Sequence, residues 1–271
     1  MSLDKEKTTK ENCAKKLNDL KCCVIIPTYN NAKKLNQVIE DCKEYTTLHF
    51  GKSRQVSHLM VVNDGSTDNT STILEKHPFI MQLSYVHNEG KGIAMRRGFK
   101  HALEQGYDYA ITLDSDGQHY AKDLPAFVDA LAENPNAILI GSRNMSQENV
   151  PSKSSFGNKF SSFWLWVETG IKLSDTQSGY RLYPIRAIQN IRFITGRYEF
   201  EVEVLARAGW EGIDLMCIPI DVYYPPAEER ITHFRPVRDF FRISMLNTLL
   251  CFWAFFWFRP RLFIRKVKKK A

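Results

Sequence analysis

Between residues 21 and 141, short apolar runs rich in β-branched residues alternate with longer amphipathic stretches, and this alternation leaves few folds open. Candidate strands lie at 22–26, 58–63, 82–87, 109–113 and 137–141, and helical patterns lie between them at 32–45, 69–76, 93–105 and 122–133. Consecutive βα units of this kind imply an α/β fold, a mostly parallel, Rossmann-like sheet with helices on both faces. Such a sheet binds ligands outside the carboxyl ends of its strands.

Those ends carry polar, glycine-rich sequence. Pro27-Thr28-Tyr29-Asn30-Asn31 follows the first strand, Asp64-Gly65-Ser66-Thr67-Asp68 the second, Glu89-Gly90-Lys91-Gly92 the third and Asp114 to His119 the fourth. Ordinary turn chemistry accounts for any one of these loops. It accounts poorly for four at one sheet edge.

The fourth loop is the most specific. An apolar run ends abruptly in Asp114 and Asp116, and two carboxylates at a strand end can hold a hard divalent cation that bridges to substrate phosphates. With 14 Asp in the chain, a D-x-D triplet arises by chance about 0.7 times, so its placement carries the signal.

Charge is unevenly spread. Of 37 basic residues, seven lie in the last thirteen positions, which hold no acid; the remaining 30 balance the 30 Asp and Glu. The body is formally neutral, which argues for a basic tail and against a nucleic-acid-binding body. Six cysteines show neither C-x-x-C nor zinc-finger spacing, and read as reduced thiols in a cytosolic setting. Residues 1–21 are polar and Lys-rich without an apolar stretch, so a frayed or weakly helical lead-in and no secretory signal are expected.

Beyond residue 144 the alternation stops. Residues 155–170 read as a helix whose aromatic stripe of Phe156, Phe160, Phe163, Trp164 and Trp166 is expected in the core. A polar loop at 175–181 and a helix opening near Tyr198 follow. Residues 243–258 carry no charge. Sixteen helical residues rise about 24 Å, short of a bilayer's hydrocarbon core, so a C-terminal amphipathic helix lying in or dipping into an anionic leaflet is expected, its basic tail cytoplasmic.

Taken together, Pro27 to Asn30, Asn63 to Asp68, Gly90-Lys91-Gly92, Asp114 to His119, Gly141-Ser142-Arg143 and Asp175 to Arg181 resemble family 2 glycosyltransferases of the GT-A fold. The similarity covers about residues 22–225 and runs to the branch of dolichyl- and polyprenyl-phosphate mannosyl- and glucosyltransferases. It implies a GT-A domain over 22–232, preceded by the lead-in at 1–21 and followed by the helix and tail at 233–271. By position, Pro27, Thr28 and Tyr29 border the nucleotide base and ribose, Asp64 bonds the base or ribose, and Lys91 lies near the donor. Asp114, Asp116 and Gln118 match the positions for Mg²⁺ or Mn²⁺ and the diphosphate. Arg143, Ser178 and Arg181 stand in motifs that face the acceptor phosphate and sugar diphosphate. Asn31 and Asn63 depart from the Glu and Asp of many relatives, on the nucleotide side.

The expected reaction is metal-dependent, inverting hexose transfer from a nucleoside-diphosphate sugar of the GDP-mannose or UDP-glucose type. The expected acceptor is polyprenyl phosphate, with a hydroxyl of a cell-envelope glycan or glycolipid as the alternative and a non-catalytic, nucleotide-sugar-binding membrane-docking protein as the second. Asp116, Arg143, Arg181 and Glu201 are the expected catalytic residues. A hydroxyl acceptor needs a base and a phosphate does not; Glu201 or Glu199 is available, and as i and i+2 on a helix they diverge. His233 is expected as a solvated loop residue, with closure over the donor or completion of the metal shell as the alternatives. The expected location is the cytoplasmic face of the membrane, peripheral or shallowly inserted through the C-terminus. Without G-x-G-x-x-G or G-x-x-x-x-G-K-[ST], dinucleotide and P-loop chemistry are disfavoured.

Overall fold

The computed structural model describes residues 2–50, 54–144, 152–224 and 235–258. The strands are β1 (Cys22–Thr28), β2 (Thr47–Phe50), β3 (Arg54–Ser57), β4 (Leu59–Asp64), β5 (Met81–Tyr85), β6 (Tyr109–Thr112), β7 (Ala137–Arg143), β8 (Arg181–Tyr183) and β9 (Asp214–Ile220). The helices are α1 (Ser2–Asp19), α2 (Ala32–Thr46), α3 (Thr70–Glu75), α4 (Lys91–Glu104), α5 (Leu124–Glu133), α6 (Ser152–Thr169), α7 (Ile185–Ile188), α8 (Phe200–Trp210) and α9 (Pro236–Trp253), the last running on as a π-helical stretch, Ala254–Phe258.

Seven strands form one sheet in the order β5-β4-β1-β6-β8-β7-β9, parallel except for β8. The run that forms β1 is apolar throughout because both its faces are covered. Cys22, Val24 and Ile26 join Leu35, Ile39 and Phe127 on one side. Cys23 and Ile25 join Met95, Phe99 and Val204 on the other. The five expected strands are β1, β4, β5, β6 and β7, with ends shifted by a few residues.

Four features differ from the sequence reading. Residues 2–19 are helical and packed: Cys13 and Leu17 are buried in the core, so the lead-in belongs to the domain. β2 and β3 form a separate antiparallel hairpin. The stripe on α6 is only partly core, since Phe163 is 52% and Trp166 44% exposed. The apolar helix is longer than 243–258: it covers Val237–Phe258, 22 residues with a stretch of mean hydropathy 1.4, a length and composition sufficient to cross a membrane. Leu246, Leu250 and Ala254 nevertheless bury one flank in the same core as α4 and α8, so the C-terminal segment is continuous with the domain. The basic tail, 259–271, and His233 lie outside the described residues.

Candidate active site

At the carboxyl ends of β1, β4 and β6, a cleft of about 550 Å³ is walled by Pro27, Thr28, Tyr29, Asp64, Lys91, Asp114 and Asp116, so the four loops converge on one space. The same cleft is lined by Arg197 and Tyr198 before α8, with Arg197 against the Gly90 turn, and by Arg235, Arg238, Asp239 and Arg242 at the start of α9.

The loops are knitted to each other before any ligand is considered. Asn30, at φ 47°, accepts from the backbone N–H groups of Thr67 (2.7 Å) and Asp68 (3.3 Å) through Oδ1. Buried Asp64 accepts from the N–H of Glu89 (3.2 Å) and of Gly90 (2.7 Å), one on each carboxylate oxygen. It thereby fixes the turn that begins α4. Gly90 sits at φ +112°, and a Cβ there would lie 2.6 Å from Arg197 Cγ and 2.7 Å from the Gly196 carbonyl. Only glycine serves both conditions.

Lys91 emerges from that turn into a charge cluster. Its Nζ lies 2.6 Å from Asp114 Oδ1 and 3.0 Å from Glu201 Oε1. Burial alone would raise Asp114, but Lys91 beside it holds the carboxyl below its ordinary value. Gly179 closes the same cluster, since a Cβ there would meet Asp114 Oδ2 at 2.3 Å.

Asp116 is different. Burial and the neighbouring Asp114 push it up to about 6. Its Oδ1 accepts from the Gln118 N–H at 3.0 Å. A cleft carboxylate with a raised pKa is a site that lacks a positive charge, and this fits a divalent cation. Among the described residues no three His, Cys, Asp or Glu side chains gather around one point, so an ion here relies on oxygens from the substrate, water or the Gln118 amide.

The two arginines expected to meet phosphate are otherwise engaged. Arg181 is wholly buried in β8, and its guanidinium donates to the carbonyls of Ser178 (2.7 Å), Glu201 (2.7 Å) and Thr176 (2.8 Å). It organises the loop before β8 and the first turn of α8, and does not reach the cleft. Arg143 grips buried Asp175 in bidentate fashion, Nε to Oδ2 at 2.6 Å and Nη2 to Oδ1 at 3.0 Å. Asp175 also accepts from the N–H groups of Gln177 and Ser178, fastening the end of β7 to that loop. Ser178 is buried too, its Oγ accepting from the Tyr180 N–H. Glu199 and Glu201 diverge as their spacing requires, towards Arg242 (3.8 Å) and Lys91, and neither belongs to the cleft wall.

Sequence reasoning missed Arg197, Arg235, Arg238 and Arg242. A signal was present: in Arg-Pro-Val-Arg-Asp-Phe-Phe-Arg, a proline suited to the first helical turn precedes cations at i and i+4.

Comparison with known proteins agrees with this geometry. The family model described as Glycosyl transferase family 2 matches residues 23–192. A UDP-N-acetylglucosamine–dolichyl-phosphate N-acetylglucosaminyltransferase of Methanococcus voltae is 26% identical over 222 residues, covering 74% of this chain and 85% of the relative. An undecaprenyl-phosphate mannosyltransferase of Micrococcus luteus is 28% identical over 214 residues, covering 74% and 83%. Glucosyl-3-phosphoglycerate synthase of Mycobacterium tuberculosis, solved with Mn²⁺, UDP and glucosyl-3-phosphoglycerate, shares the fold at TM-score 0.60 and 16% identity, covering 90% of this chain and 83% of that one. With a family match across most of the sheet and a cleft at the strand ends that carry its motifs, the chain belongs to glycosyl transferase family 2 and is a glycosyltransferase.

Proposed function

We propose that this glycosyltransferase moves a hexose from a nucleoside-diphosphate sugar to the phosphate of a polyprenyl-phosphate lipid at a membrane surface, with inversion. The observation that carries the reading is the shared cleft. Asp116 lines it together with Arg238 and Arg242, which stand on a helix that also carries exposed aromatic rings. A donor diphosphate and an acceptor phosphate both call for cations, and the hydrocarbon chain of the acceptor calls for an apolar surface nearby. Relatives named for dolichyl- and undecaprenyl-phosphate substrates support the same class.

Pro27, Thr28, Tyr29 and Asp64 form the nucleotide side of the cleft. Asp116, with Gln118, would hold Mg²⁺ or Mn²⁺, and the ion would stabilise charge on the departing diphosphate. Lys91 keeps Asp114 ionised and in place. Arg238 and Arg242, rather than Arg143 and Arg181, clamp the incoming phosphate. One of its oxygens attacks the anomeric carbon as the bond to the diphosphate breaks, and the electron pair leaves with the nucleoside diphosphate. That oxygen is already anionic, so the reaction needs no general base, in keeping with a Glu201 held by Lys91.

The test supplies purified enzyme with labelled UDP-glucose or GDP-mannose, Mn²⁺, and either polyprenyl phosphate or the free polyprenol. Product forms from the phosphate. Asp116→Asn lowers kcat by about 100-fold or more, and R238A/R242A raises KM for the lipid phosphate at least about tenfold. Product from the alcohol alone would refute the reading.

A further inference from the structure

We infer that Arg197 binds the diphosphate of the nucleotide-sugar donor. The assignment takes its donor from the proposed reaction and holds whichever acceptor attacks.

The turn that carries Arg197 is locked onto the start of α4. The Gly196 carbonyl accepts from the Ile93 N–H at 2.9 Å. A Cβ on Gly92 would lie 2.5 Å from Phe200 Cβ and 2.8 Å from the Arg197 carbonyl oxygen, and a Cβ on Gly90 would lie 2.6 Å from Arg197 Cγ. The glycines let the two segments meet backbone to backbone, and the arginine stem packs against the Gly90 turn. Asp64 fixes that same turn through the N–H groups of Glu89 and Gly90. Arg197 therefore stands at a position set by the donor loops, whereas Arg235, Arg238 and Arg242 belong to the start of α9.

Charge indicates what this arginine serves. Asp64, Asp114 and Asp116 line the cleft at the strand ends. An anionic diphosphate brought to that edge meets like charge, so it calls for cations. Lys91 is already shared between Asp114 at 2.6 Å and Glu201 at 3.0 Å. Arg97, further along α4, pairs with Glu89 and lies 4.0 Å from the centre of the Tyr85 ring. Arg197 is exposed in the cleft, and among the described residues its guanidinium has no ion pair or hydrogen bond. A guanidinium can grip two phosphate oxygens at once, and it answers the charge that builds on the diphosphate as it leaves. In the proposed reaction the incoming phosphate is served from α9, so donor and acceptor draw on different arginines.

The experiment measures binding to the full chain by calorimetry, with Mn²⁺ and without acceptor, first of UDP, GDP, ADP, CDP and dTDP and then of the nucleoside of the tightest binder. R197M keeps the stem against the Gly90 turn and removes the charge. It weakens the diphosphate by about tenfold or more and the nucleoside by less than about twofold, with an unchanged melting curve. R197K recovers part of the loss, since an ammonium brings the charge without the fork. In turnover, R197M raises KM for the sugar nucleotide and leaves KM for the lipid phosphate at its wild-type value. Equal weakening of nucleoside and diphosphate, undiminished diphosphate binding, or a change in acceptor KM alone would overturn the inference. A wild type that binds none of these nucleotides overturns it together with the donor reading. Tight, Arg197-dependent diphosphate binding without product from polyprenyl phosphate refutes only the proposed acceptor.

Discussion

Lys91→Met removes the one cation between two carboxylates. At the observed 2.6 and 3.0 Å, each attraction amounts to about 6 kcal/mol at an effective dielectric of about 20. The cost of dehydrating the ions cancels most of that, and deleting one partner of a buried group costs about 3–5 kcal/mol because the others stay uncompensated. The Lys91 side chain is only 16% exposed, so solvent screens little of this. In the wild type, burial is outweighed by Lys91, and Asp114 stays below its ordinary value. Its contribution is therefore in place above about pH 4 and lost as pH falls through the depressed value. In the variant Lys91 no longer outweighs burial, which His119 and Arg181 still oppose, and Asp114 rises beside Asp116. The variant's loss is then largest at about pH 8 and shrinks by at least about 1 kcal/mol at about pH 5, where the carboxyls take up protons. Urea unfolding followed by tryptophan fluorescence at the two pH values measures both quantities. Asp114→Asn in the Lys91→Met background restores at least about 1 kcal/mol, as expected of coupled neighbours. A loss below about 1 kcal/mol, or one equal at the two pH values, would refute the charge-cluster account.

Glu168 is buried, neither of its oxygens has a hydrogen-bond partner among the described residues, and burial pushes it up to about 8. The unfolded chain releases this proton near its ordinary value, so stability falls as pH rises from about 4.5 to about 8. Glu168→Gln raises Tm, more at the upper end of that window than at the lower; a gain independent of pH would sink the assignment. Asp175→Asn leaves Arg143 without its buried counter-ion and costs about 3–5 kcal/mol in urea unfolding. Arg143→Met costs a similar amount, and the double variant costs clearly less than the two losses added, since both break one pair.

The central strands were legible because β1 and β4 are runs that only a two-sided core explains. β1 is seven buried residues in succession, and β4 six. α1 escaped because its apolar stripe is thin: Cys13, Ala14 and Leu17 supply its buried apolar residues within an otherwise polar, charged segment. β8 escaped for the opposite reason. Its first residue is an arginine, which by composition belongs in solvent, and its burial depends on carbonyls five residues before it and twenty after it. No local pattern announces such partners.

The loops of the site were legible for a similar reason, since glycine, proline and aspartate punctuate strand ends in a way that sequence records. What each cation does there was not. A guanidinium that serves a ligand and one that serves the backbone read identically as Arg, and the tertiary structure decides between them by where acceptors lie. Carbonyls claim Arg181 and Asp175 claims Arg143, so under the proposed reaction phosphate recognition shifts to the cleft arginines of α9. That shift has a physical consequence for the proposed reaction. α9 carries both cleft arginines and exposed aromatic rings, so the groups that the proposed reaction would set against a lipid's phosphate and against its hydrocarbon chain share a single helix.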